Sequence, residues 1–209
     1  MSWGPCLWKK SISEKNSNIF YRSTLKKFDI VDVPAMNFLM IDGKGDPNTA
    51  KEYTDAIEAL YSASYTLKFM VKKSDNVDYG VLPLEGLWWA DNMTHFVTGN
   101  KDEWKWTAMI MQPEFITKER VDKAIEDVKT KKDLTALPKL KFSSFNEGLS
   151  AQTMYVGPYA NEGPTIMEIH KFIKEKGYEL RGKHHEIYLS DPRRSKPEKL
   201  KTIIRQPIK

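Results

Sequence analysis

The chain has one cysteine, Cys6, in 209 residues. That excludes an intramolecular disulfide, and its place near the start suits a free thiol better than a catalytic one. No stretch reaches the run of about 20 apolar residues that spans a bilayer. The N-terminus also lacks the apolar core of a signal peptide. The expectation is a cytoplasmic protein with no membrane association. Metal spacing is missing as well. The histidines are His95, His170, His184 and His185. None pairs with another His or with Cys at a zinc spacing, and neighbours such as His184 and His185 diverge on a strand. Asp75 and Asp78 lack the context of a calcium loop. No glycine-rich loop precedes a helix, Gly43-Lys44-Gly45 being too short, and no serine sits in a nucleophile elbow. His170 is flanked by Lys171 and Lys174, the pattern of an ordinary amphipathic helix and not of a haem ligand. Neither a metal nor a cofactor is expected.

Charge of one sign is scarce beyond the first 27 residues. The net charge is +5. Lys9, Lys10, Lys15, Arg22, Lys26 and Lys27 against Glu14 alone account for all of it. The rest of the chain is balanced, so the basic pI reflects a tail and gives no reason to expect nucleic acid. Residues 1–27 are rich in Ser, Asn and Lys, show no period, and read as a flexible extension. Trp3, Leu7, Trp8, Ile19, Phe20 and Tyr21 are the residues within it able to dock.

What the chain has is periodicity. Ile30 to Ile41 reads as a strand, closed by a turn at Gly43 to Pro47. A long helix opens near Asn48, with Ala50, Tyr53, Ile57, Leu60, Tyr61, Ser64 and Leu67 on one stripe. Val81 to Ala90 and Trp104 to Met111 read as strands. In the second, Trp104, Trp106, Ala108 and Ile110 face one way and Lys105, Thr107, Met109 and Met111 the other. Thr117 caps a second helix that buries Val121, Ala124, Ile125 and Val128. The order then repeats. Leu140 to Tyr155 is extended, broken at Asn146-Glu147-Gly148. Pro164 to Lys176 is a helix, with Gly177 at its left-handed end. His184 to Leu189 and Leu200 to Gln206 close the chain. The implied fold is α+β: two pseudo-symmetric strand-helix-strand-strand modules, residues 28–115 and 138–209, joined by a helix over 117–131. They form mainly antiparallel sheet with helices on one face and a ligand cleft between the halves.

Alternation assigns side chains to faces. Ile187 and Leu189 are apolar and are expected under the helices, which sends His184, Glu186 and Tyr188 to the opposite, cleft face. By the same logic Thr153 and Tyr155 join Glu186 there, placing a phenol and a carboxylate on adjacent strands. Trp88 and Trp89 must point to opposite faces. Four tryptophans, Trp88, Trp89, Trp104 and Trp106, fall within nineteen positions. Aromatic stripes more often pack a core than hold a ligand. A density this high still points to a flat binding surface.

Four motifs, in order, resemble the GyrI-like small-molecule-binding family. They are Pro83-Leu84-Glu85-Gly86-Leu87-Trp88-Trp89; Met154-Tyr155-Val156-Gly157-Pro158-Tyr159 followed by Glu162 and Pro164; His185 to Arg194; and Lys199 to Pro207. The resemblance spans roughly Phe28 to Lys209. It implies two strand-helix-strand-strand modules around a ligand cleft. In drug-responsive regulators with this domain, a buried glutamate recognises cationic aromatic drugs, and Glu186 matches that position. No DNA-binding segment is attached here, so the chain is similar to stand-alone members, some of which hydrolyse cyclopropanoid genotoxins. Many relatives carry His before the Gly-Pro-Tyr, where this chain has Tyr155.

For such a reaction the expected catalytic residues are Glu186, which the resemblance indicates, and Tyr155, which alternation places beside it and which departs from the family's His. Glu186 would position or deprotonate a water, and Tyr155 would supply a hydrogen bond. Contacts to a small, flat aromatic ligand are expected from Trp88, Trp89, Trp104, Trp106, Tyr188 and Met109. Two other readings remain open: binding or sequestration of a flat cationic drug without turnover, and a gyrase-inhibitor-like interaction protein. The sequence shows no clear docking patch, so no protein partner is expected.

Overall fold

The computed structural model describes residues 20, 21, 23, 25, 27–91 and 101–209. Cys6, Trp3, Trp8, His95 and most of the expected flexible extension lie outside the described residues. Among the described residues six strands and three α-helices follow one another: β1 (Asp29–Lys44), α1 (Lys51–Asp75), β2 (Leu84–Trp89), β3 (Lys105–Gln112), α2 (Lys118–Lys129), β4 (Lys141–Val156), α3 (Gly163–Glu175), β5 (His184–Tyr188) and β6 (Lys201–Pro207). All strand pairings are antiparallel, and they close into a barrel in the order β1-β3-β2-β5-β6-β4. Each half of the chain thus contributes three adjacent strands, and the halves meet at β2·β5 and at β1·β4.

Helix α1 buries a stripe of small residues and leucines, Ala56, Ala59, Leu60, Ala63, Leu67 and Val71. The stripe packs with Leu39, Ile41, Leu84, Trp106, Ala108 and Ile110 of the wall. Small residues let the helix axis approach the sheet closely. Thr117 caps α2 by accepting from the Arg120 N–H at 3.4 Å, and Val121, Ala124 and Val128 join the same core. Helix α3 packs Ile169 and Ile173 against Ala151 and Ile204 at the other end of the wall. Gly177 follows it with φ +80°, the left-handed conformation that glycine adopts without steric cost.

Closure changes the expected arrangement of faces. The side opposite the helices does not face open space; it is the inside of the barrel. Its apolar part holds Phe38, Leu87, Met109 and Met111. Ile187 pairs with Glu85, and Glu85 with Met109, so Ile187 also points inward. The expectation that Ile187 meets the helices is therefore reversed. Glu186 and Tyr188, one residue out of phase, share the outer face with them. The expected break at Asn146-Glu147-Gly148 is absent: β4 runs through it, and β1 keeps one register on either side. Gly148 takes φ +69° there, and Glu147 beside it turns inward.

That turn completes a buried ionic cluster. His185 Nδ1 lies 2.9 Å from Glu147 and its Nε2 lies 3.0 Å from Glu85. Arg205 donates to Glu147 at 2.9 Å and to Gln152 at 3.0 Å. Two carboxylates face an imidazolium and a guanidinium, so the charges balance. Burial works against a charged His185, but Glu147 and then Glu85 overcome it and push His185 up to about 9. Burial likewise works to raise Glu147, but His185 and Arg205 bring it down to about 2. The chain ahead of β1 takes part: the Tyr21 hydroxyl donates to Glu85, Arg205 donates to the Phe20 carbonyl, and Leu25 bridges to Met154.

Candidate ligand site

Strand pairing lays two rows of side chains across the outer wall. One runs Thr153, Ile204, Glu186, Gly86, Ala108, Ile41; the other runs Tyr155, Thr202, Tyr188, Leu84, Ile110, Leu39. Helix α1 covers the end at Ile41 and Leu39, and α3 the end at Ile204 and Tyr155. Glu186 and Tyr188 lie on the strip between them.

Every polar atom of that pair is directed. The Tyr188 hydroxyl donates to Glu186 Oε2 at 2.7 Å and accepts from the Trp88 indole Nε1 at 3.1 Å. His184 Nε2 lies 3.2 Å from Glu186 Oε1. Two donors thus hold the carboxylate, one on each oxygen. Glu186 nevertheless keeps 16% of its side chain exposed, against 6% for His184. Burial first, and the neighbouring Glu186 charge second, raise Tyr188 well above the usual phenol range, so it remains a donor throughout neutral pH.

Aromatic rings enclose this strip. Tyr53, from α1, packs edge-on to Trp106 at 5.0 Å and tilted against Trp88 at 5.7 Å. Trp88 meets Trp104 at 6.1 Å, and Tyr159 meets Tyr188 at 5.4 Å. Tyr159 is pushed up to about 12, by burial and then by Glu162 and Glu186. Two glycines give the indoles their room. A Cβ on Gly86 would lie 2.6 Å from Trp88 Nε1, and one on Gly43 would overlap the Trp106 ring. Both face a tryptophan on the same side of the sheet, and neither glycine has a positive φ. Space, not backbone freedom, requires them.

Of the residues singled out in the sequence, Glu186, Tyr188, Trp88 and Trp104 come together. Trp106 is fully buried beneath Tyr53 and acts as the floor. Trp89 and Met109 are not brought to Glu186. Both belong to the inner cluster, and Lys183 covers the Trp89 ring at 3.3 Å. Tyr155 shares the outer face, but its hydroxyl donates to the Pro158 carbonyl at 3.0 Å. The phenol that reaches Glu186 is Tyr188. Sequence reasoning missed Tyr53, Tyr159 and Glu162. Tyr53 sat in the helical stripe, where an aromatic reads as core; Glu162 and Tyr159 sat inside a quoted motif without an assigned role. Among the described residues no group of three His, Cys, Asp or Glu is placed to hold a metal ion, and no helix is long and apolar enough to cross a membrane. A groove between α1 and α2, bordered by Phe69, Met70, Lys73, Lys123 and Lys131, includes none of the residues around Glu186.

The family model for the GyrI-like small molecule binding domain matches residues 26–209. The chain belongs to that family. Two solved structures from Listeria innocua are similar over 94% of this chain and 98% of their own. One, an uncharacterized conserved protein, is 41% identical with a TM-score of 0.85; the other, described as a hydrolase, is 40% identical with a TM-score of 0.80. The C-terminal domain of EcmrR shares the fold at 10% identity and a TM-score of 0.55, over 88% of this chain and 97% of that domain. No curated protein matches. Within the GyrI-like family, then, the shared property is the binding of small molecules, and Glu186 is a partly exposed carboxyl group on the outer wall of this member.

Proposed function

We propose that this GyrI-like protein binds a flat aromatic organic molecule against Glu186 and hydrolyses it where it carries a strained electrophilic ring of the cyclopropanoid type. One observation carries the reading: a carboxylate held by Tyr188 and His184, with Trp88, Tyr53 and Tyr159 around it, on a side chain that stays partly exposed. The likeness at 40% identity to a protein described as a hydrolase supports the chemical half.

Hydrolysis needs a water aimed at the cyclopropane methylene and a donor for the oxygen that gains charge. Glu186 accepts a proton from the water as its oxygen bonds to that carbon. The ring C–C bond breaks, and its electron pair flows into the conjugated dienone. The carbonyl oxygen becomes a phenolate and takes up a proton, so the product is the substrate plus one water. Tyr188 commits its one hydroxyl hydrogen to Glu186 and so fixes the base, and the oxygen that gains charge takes its proton from solvent. Orientation against an already strained electrophile contributes much of the rate. Removing a DNA-alkylating compound in this way is a detoxification.

Incubation with a cyclopropanoid and analysis of the ring-opened alcohol tests it. Wild type yields that product and Glu186→Gln yields at least about 100-fold less; an equal rate in the variant refutes the mechanism. The second reading is binding alone. Several π faces around one carboxylate suit a cationic aromatic compound. Tight titration by a flat cationic dye with no turnover of the cyclopropanoid would favour it.

A further inference from the structure

The strip holds a second carboxyl group that the hydrolytic scheme leaves idle. Glu162 is only 3% exposed. It occupies the capping position of α3, yet its side chain makes no capping hydrogen bond. The carboxyl lies instead beside Glu186 and Thr202. Its Oε1 and the Thr202 hydroxyl have no hydrogen-bond partner among the described residues. An ionised carboxylate with an unpaired buried oxygen next to a second carboxylate is costly in free energy. Protonated, it becomes a donor, and Glu186 is an acceptor within its reach. The groups that face the two come from every surrounding element. They are Tyr53 of α1, Tyr155 of β4, Tyr159 of the turn before α3, His184 and Tyr188 of β5, and Thr202 of β6; behind them Trp88 of β2 reaches Tyr188, Asp191 acts on Tyr159, and His170 of α3 faces His184. No lysine or arginine among the described residues acts on Glu162.

The geometry points to Glu162 as a proton-bearing neighbour of Glu186: Glu162 holds its proton at neutral pH, and a cationic aromatic ligand seated against the two carboxyl groups expels that proton while a neutral one leaves it in place. The ligand half rests on the proposed binding reading; the proton-bearing half concerns the free protein. Burial first, and the Glu186 charge second, push Glu162 up to about 9. Glu162 acts through Glu186 and is a positioning residue. It sets how much charge the site presents, and so discriminates between neutral and cationic aromatics.

Infrared spectroscopy of the ligand-free protein decides the first half. Wild type at neutral pH shows the C=O stretch of a protonated buried carboxyl, and the band titrates away near about pH 9. The band is missing in Glu162→Gln, and its midpoint falls in Glu186→Gln because the opposing charge is gone. A wild-type spectrum without the band, or a band that survives in Glu162→Gln, overturns the proposal whatever the protein binds. Calorimetric titration with ethidium, in two buffers of different ionisation enthalpy, decides the second half. Wild type releases about one proton per cation bound, and Glu162→Gln binds with no release. Binding without proton release, or no binding to wild type, overturns the ligand half. The cyclopropanoid assay is separate, so a failed hydrolytic reading remains distinguishable from a failed proton-bearing role of Glu162.

Discussion

The Trp88 indole leans across the bare Cα of Gly86, two residues earlier on the same strand, and its Nε1 reaches the Tyr188 hydroxyl at 3.1 Å. Gly86 is also the cross-strand partner of Glu186. The glycine therefore sets how close an aromatic plane comes to the carboxylate. Gly86→Ala puts a methyl 2.6 Å from Nε1, and the indole must rotate away. The expected outcome is at least a 10-fold loss of aromatic-ligand affinity, with a stability loss of about 1–3 kcal/mol from overpacking. Dye titration and urea unfolding of the same variant separate the two effects.

Tyr188 and Tyr155 both present phenols on the outer face, but only Tyr188 bonds to Glu186. Tyr188→Phe removes a hydrogen bond to a charged group, worth about 1.5–3 kcal/mol, so kcat should fall roughly 10- to 100-fold. Tyr155→Phe removes a bond to a backbone carbonyl away from the carboxylate and should change kcat by less than about 3-fold. Equal losses in the two variants would return the donor role to Tyr155.

Much of the site was legible because strands alternate without error over short spans. The period of two put Glu186, Tyr188, Thr153 and Tyr155 on one side, and pairing confirms that they share it. What alternation lacks is a label for the two sides. Ile187 looks like a residue awaiting a helix, yet in a closed barrel the lumen needs apolar side chains too, and Ile187 points there. Glu85, Glu147, His185 and Arg205 look like surface residues one at a time. Only the pairing of β5 with β6, and the turn at Gly148, show that their charges cancel inside. Glu162 reads as a helix cap by position, and nothing in the sequence says that its carboxyl turns away from the helix. The helices were easier: an apolar stripe on a long segment has one interpretation, and α1 buries Leu60, Ser64 and Leu67 from the expected stripe.

The interior cluster makes stability depend on pH in a defined window. His185 is raised from 6.5 to about 9, so its contribution is full below pH 6.5 and is lost as pH rises through about 9. Glu147 is lowered from 4.5 to about 2, so its contribution is full above pH 4.5 and is lost as pH falls through about 2. Together they contribute most between those two unfolded values. Glu147→Gln leaves Arg205 and His185 short of a buried counter-charge and should cost about 3–5 kcal/mol. It should also move the alkaline loss of stability to lower pH, because His185 loses its nearest carboxylate. Urea denaturation across a pH series reads both effects. An unchanged alkaline limb would mean that Glu85 alone holds the proton on His185.

Tyr21 ties the chain ahead of β1 to the same cluster. Its ring joins the inner apolar group and its hydroxyl donates to Glu85. Burial first, and Glu85 second, raise this phenol well above its ordinary range, so it stays a donor at any pH at which the protein is handled. Tyr21→Phe keeps the ring and deletes the donor, leaving a buried carboxylate oxygen unsatisfied. The expected cost is about 1–3 kcal/mol. Removing residues 1–27 deletes the Phe20 carbonyl as well, which accepts from Arg205, and should cost more than the single substitution. Thermal unfolding of wild type, Tyr21→Phe and the shortened chain would show that order. A shortened chain as stable as wild type would mean that solvent serves Glu85 and Arg205 as well as the segment does.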